Sequence, residues 1–151
     1  MTKSKTDAIH KQLVLKAPPS RVWQAISNPE QFGAWFGAKL RGEFIAGRTV
    51  EGTVSYQGKD LAMTLLIDRI EPERVLAFRW HPFAVDPSVD YSQEPTTLVE
   101  LVIAPAPEGT LLSVTETGFD QIPEARRARA FEMNSGGWAQ QLENVARYVS
   151  A

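Results

Sequence analysis

A chain of 151 residues is long enough to bury a substantial core in one domain. Its 16 basic and 18 acidic side chains, net charge −2, give no electrostatic footprint for nucleic acid or an anionic membrane. It contains no cysteine, which removes disulfides, thiol catalysis, cysteine-bound zinc and iron–sulfur clusters together. The polar start "MTKSKTDAIHKQ" lacks the apolar region of a signal peptide, and no stretch reaches the roughly 18 to 20 apolar residues of a membrane span, so a cytoplasmic location is the expectation.

Residues 1–7 read as a flexible lead-in and 8–150 as a single domain. "AIHKQLVLKA" (8–17) has the apolar and β-branched content of a strand. In "PPSRVWQAIS", Pro18 or Pro19 opens a helix, because the first helical position has no intrahelical donor role, and Val22, Trp23 and Ile26 follow at helical spacing. Asn28 caps a second short helix that Pro29 begins. This helix, in "ISNPEQFGAWFG" (26–37), sets Phe32, Trp35 and Phe36 among Gly33 and Gly37. Glycine costs about 1 kcal/mol in a helix interior, so ring surface on such a helix points to the wall of something other than a solid core.

Strands follow at close intervals. "TVEGTVSYQ" (49–57) puts Val50, Gly52, Val54 and Tyr56 on one face, and "QGKD" turns the chain. "LAMTLLIDRIE" (61–71) aligns Leu61, Met63, Leu65 and Ile67; "VLAFRWH" (75–81) sets Leu76, Phe78 and Trp80 against Ala77, Arg79 and His81. "PFAVDPSVDYSQEP" (82–95) is a loop long enough to form a lid or mobile segment. "TTLVELVIA" (96–104) and "TLLSVTETGF" (110–119) then pair across "PAPEG". With no helical stretch between these strands, they form an antiparallel meander. From about Pro123 to Val149 the pattern is helical: Phe131, Trp138, Leu142, Val145 and Val149 make an apolar stripe over about 40 Å. Gly136-Gly137 interrupts it, either for close packing on the sheet or as a hinge or ligand gate.

Strand, two short helices, meander and long final helix is the order of a helix-grip fold. "APPSRVWQAISNPEQFGAWFG", "TTLVELVIAP…EGTLLSVTETGF" and "GGWAQQLENVARYV" resemble the activator of heat-shock protein 90 ATPase homologue-like family of the START-like (SRPBCC) superfamily, over residues 8 to 149. The resemblance implies an α+β helix-grip fold. In it, a curved antiparallel sheet wraps round the long C-terminal helix, with two short helices after the first strand and an apolar cavity between sheet and helix. Phe32, Trp35 and Phe36 would then rim the cavity mouth. Tyr56, Met63, Leu65, Phe78, Trp80, Leu101, Glu116, Phe131, Trp138 and Leu142 complete the expected ligand-binding set.

The chemistry in the sequence is sparse. His10 and His81 lie far apart with no partner at metal-ligand spacing, so no metal is expected. No GxSxG, GxGxxG or P-loop occurs, and no cofactor or catalytic residue is assigned. Glu116 shares a strand face with Leu112 and Val114 and so points to the cavity end or its mouth. Buried, it needs a donor such as Arg79, Tyr56 or a main-chain amide; otherwise it stands in water at the strand end. Glu100, between Val99 and Leu101, faces solvent. The expected function is binding of a small hydrophobic or aromatic ligand. The alternatives are a stress-response module that contacts a heat-shock chaperone, and a cyclase- or hydrolase-like enzyme using Glu116 or His81, for which no catalytic constellation occurs.

Overall fold

The first helix forms because Pro19 supplies its opening turn and Val22, Ala25 and Ile26 give it one buried side. In the computed structural model, which describes residues 6–150, this helix is α1 (Pro19–Ser27), after strand β1 (Ala8–Leu15). The Asn28 side chain accepts the backbone N–H of Gln31 at 3.1 Å and so caps α2 (Pro29–Phe36). Gly37 ends that helix in the left-handed region at φ +90°, its N–H returning to the Gly33 carbonyl. Gly33 has a different necessity. A Cβ there would sit 2.3 Å from the Ala38 carbonyl oxygen, so only glycine lets α2 press onto the strand that follows.

That strand, β2 (Ala38–Arg41), alternates Ala38 and Leu40 against Lys39 and Arg41, but over only four residues, too short a run to announce it in the sequence. The remaining strands are β3 (Thr49–Tyr56), β4 (Lys59–Glu71), β5 (Val75–Trp80), β6 (Thr97–Ala106) and β7 (Gly109–Thr117). All pair antiparallel in one seven-stranded sheet of order β1-β7-β6-β5-β4-β3-β2. A bulge between Ile67 and Arg69 breaks the register of β4 on β5, the kind of insertion that bends a long strand and increases its twist.

After a short 3₁₀ turn (Phe119–Gln121) the chain runs into α3 (Glu124–Ser150), an unbroken helix across the inner face of the sheet. Its buried residues are Ala130, Trp138, Leu142, Val145 and Val149. Each large apolar side chain among them contributes about 1.5–3 kcal/mol by leaving water. The sequence stripe thus matches, except that Phe131 is half-buried and Ala130 takes the innermost place at that turn. The Gly136-Gly137 pair does not interrupt the helix, and a Cβ at either would meet nothing within 4 Å. Close packing on the sheet is therefore not their reason.

Of the stretch expected to be a flexible lead-in, residues 1–5 lie outside those described. Thr6 and Asp7 are tied down: the Thr6 hydroxyl donates to Asp120 at 2.6 Å, and Asp7 accepts the backbone N–H of Asp120 at 3.1 Å. Among the described residues, no helix is long and apolar enough to cross a membrane.

Candidate functional site

Strand alternation turns Glu116 of β7 inward beside Leu112 and Val114, and the structure buries it completely. A carboxylate without water needs donors, and four side chains supply them. Trp80 Nε1 (β5) donates to one oxygen at 2.7 Å, and Thr97 Oγ1 (β6) to the same oxygen at 2.6 Å. Trp138 Nε1 (α3) donates to the other at 2.8 Å, and Asn134 Nδ2 reaches both at 3.1 and 3.2 Å. Asn134 and Trp138 lie four apart, hence on one helix face. Neither Arg79 nor Tyr56 takes part: Arg79 points toward Asp68 at 4.0 Å, and Tyr56 stacks edge-on with Phe83. With both oxygens accepting from side-chain donors, a substrate would have to displace one of them. The cluster bolts three strands to the helix.

Around it the aromatic side chains touch in series. Phe32 meets Trp35, Phe36, Phe44 and Phe78 at centroid distances of 4.7 to 6.2 Å. Phe78 meets Trp80 at 5.3 Å, Trp80 stacks on Trp138 at 5.7 Å, and Phe36 contacts both tryptophans. Phe32 and Trp35 are buried in this core instead of forming a rim, and the Trp35 indole donates to the Ala25 carbonyl. Leu65, Phe78, Leu101 and Leu142 are likewise buried, whereas Phe36, Met63 and Trp80 are only half-buried. Phe131 packs on the buried Phe119, a core residue the sequence reading did not single out.

The hydrogen bonds and the ion pair that hold the loop at 82–95 to α3 come from Arg126. Arg126 forms an ion pair with Glu94 (2.7 Å), donates to the Pro82 carbonyl (2.6 Å) and lies over the Tyr91 ring (4.7 Å). His81 Nε2 bonds the Glu94 carbonyl at 3.1 Å, and His10 pairs with Thr115 on the outer sheet face, so each histidine has a local structural partner. Beneath the loop opens a cleft of about 370 Å³. Tyr56 and Leu61 come to it from the sheet, Phe83, Val85 and Asp86 from the loop, and Arg129 from α3. A groove at the other end of the molecule, between Lys16–Pro19 and Ala106–Gly109, is walled by two turns and offers no aromatic side chain.

Of the residues expected to bind a ligand, only Tyr56 reaches the cleft. Phe83, Val85 and Arg129 went unnoticed because a loop has no periodicity and Arg129 reads as part of a solvated helix face. Phe78, Trp80 and Phe83, three large aromatics within six residues at the start of a Pro-containing loop, were the available signal.

The model of the family described as activator of Hsp90 ATPase homolog 1-like protein matches residues 16–150. No curated protein matches the chain. Among solved structures, the protein MLL2253 of Mesorhizobium loti is similar with TM-score 0.74 at 20% identity, covering 95% of this chain and 96% of its own. The protein NE0264 of Nitrosomonas europaea is similar with TM-score 0.77 at 15% identity, covering 98% and 97%. DynU16, a putative protein in the dynemicin biosynthetic locus, is similar with TM-score 0.73 at 24% identity; this chain spans 48% of its length. At these identities the likenesses establish the helix-grip fold.

Proposed function

The chain belongs to the activator of Hsp90 ATPase homolog 1-like family, and on that premise we propose that it binds a small hydrophobic or aromatic molecule at the open end of the concave sheet face. The observation that carries this reading is the cleft between Tyr56, Leu61, Phe83 and Arg129. Its volume of about 370 Å³ lies in the range of small-molecule sites, roughly 300–1,000 Å³, and within a largely polar lining Tyr56, Phe83 and Leu61 supply apolar contact. Burying apolar ligand surface there yields about 25 cal/mol per Å², with the few polar groups fixing orientation. Inward from Leu61, Met63 follows on the same strand face, and the half-buried Met63, Phe36 and Trp80 are the side chains best able to yield to a deeper-reaching ligand. The reading assumes a cytoplasmic protein.

A thermal-shift screen of flavonoids, sterols, fatty acids and polyketide-like aromatics tests the proposal, with native mass spectrometry of freshly purified protein beside it. A binder present at a hundredfold its Kd stabilises the fold by about 2.7 kcal/mol. No shift from any class, together with no retained mass, would refute ligand binding. The family description favours a second reading, a stress-response module that contacts a heat-shock chaperone. Stimulation of the host chaperone's ATPase by the purified protein would put that reading first.

A further inference from the structure

Three cations stand near the cleft, and their commitments differ. Arg126 is spent on Glu94, two loop carbonyls and the Tyr91 ring. Lys59 shares the cleft with Asp86. The Ser88 hydroxyl and backbone N–H hold the Asp86 carboxylate below its ordinary range, with a smaller contribution from the Lys59 charge, which acts at a distance and not as an ion pair. Among the described residues Arg129, like Lys59, has no ion pair or side-chain hydrogen bond, but of the two it is the one set over an aromatic ring. Its guanidinium lies over the Phe83 ring at 5.6 Å. Phe83 in turn meets Tyr56 edge to face at 6.0 Å, with Leu61 on the same wall. The cleft therefore sets a small wall of Tyr56, Phe83 and Leu61, within an otherwise largely polar lining, beside the Arg129 guanidinium.

Resting on the ligand reading above, we propose that the occupant of this cleft is a small monocarboxylic acid, its ring or chain against Tyr56 and Phe83 and its carboxylate on Arg129. The planar fork of a guanidinium donates two parallel hydrogen bonds to a carboxylate, which a lysine cannot reproduce. The Phe83 ring keeps the fork from swinging freely into water and so pre-organises it. A neutral ligand leaves that charge unused. A dianion would bring its second charge toward the Asp86 carboxylate, which lines the same cleft and repels it.

The test uses 2-naphthoate and its neutral isostere 2-naphthamide, titrated against the whole protein by calorimetry. Wild type is expected to prefer the acid about tenfold, the scale of one charge-assisted hydrogen-bonded pair. Arg129→Gln should erase the preference while leaving amide binding in place. Arg127→Gln, which removes the same charge two residues away where Arg127 Nε bonds the Ile122 carbonyl, should keep it. Equal affinity for acid and amide in wild type, or a preference that survives Arg129→Gln, overturns the acid proposal alone. If neither probe binds, the acid proposal falls, while the ligand reading is decided by the screen and the retained mass.

Discussion

At the scale of single residues, Glu116 shows what alternation can and cannot reveal. Its place beside Leu112 and Val114 announces an inward face, and inward it is. Its donors were not legible, because they stand 18 to 36 residues away and meet only through register and helix docking. Val99 lies directly opposite Glu116 in the β6–β7 pairing, which makes Thr97 a diagonal neighbour. Each donor could have been placed on an inner face by itself; their convergence could not. The energetic consequence follows from the donor chemistry. Indole N–H groups only donate, so Trp80 and Trp138 have no alternative role if the acceptor disappears. Glu116→Gln turns one acceptor into a donor facing an indole and is expected to cost about 1–3 kcal/mol. Glu116→Leu leaves both indoles without their acceptor and should cost more. Urea denaturation checks both, and an unchanged midpoint for the leucine variant would remove the cluster's structural role.

Among the elements, the long helix and most strands were readable because each has one face toward the core and a repeating period. β2 was not, since four residues are too short a run for the alternation of Ala38 and Leu40 to stand out; its position follows from the Gly37 turn and from pairing with β3. The loop at 82–95 was legible as a loop, but its tether was not, because Arg126 resembles any arginine on a solvated helix until Glu94 and Pro82 arrive beside it. Gly136 and Gly137 present the opposite case. They look significant in sequence, yet they are exposed, helical and clear of neighbours. Gly136→Ala and Gly137→Ala should therefore each stabilise the protein by about 0.5–1 kcal/mol through helix propensity and a less flexible unfolded chain. Thermal melts measure that gain, and a loss instead would restore a packing role. If alanine stabilises the fold but weakens ligand binding, the pair acts as a gate.

For the whole molecule the question is where a ligand finds room, and two substitutions to tryptophan separate the interior from the cleft. Leu65 is fully buried on the inner sheet face, in the core that holds Phe32 and Phe78. Adding an indole to a packed core forces neighbours off their rotamers at about 1–3 kcal/mol, so Leu65→Trp should lower the melting temperature. A hollow interior would instead accept the indole with little loss of stability. Val85 lies half-buried in the loop wall of the cleft, where the added ring can occupy the space a ligand needs. Val85→Trp is expected to leave the melting temperature near wild type while weakening 2-naphthoate, since it competes for the Tyr56 and Phe83 surface without disturbing the Glu116 cluster. Stability and probe affinity measured on both variants give a pattern that neither alone can give. Loss of stability at position 65 with loss of binding at position 85 assigns the ligand to the cleft. Retained stability at 65 with lost binding there, and none lost at 85, assigns it to the space between sheet and helix that the fold family implies.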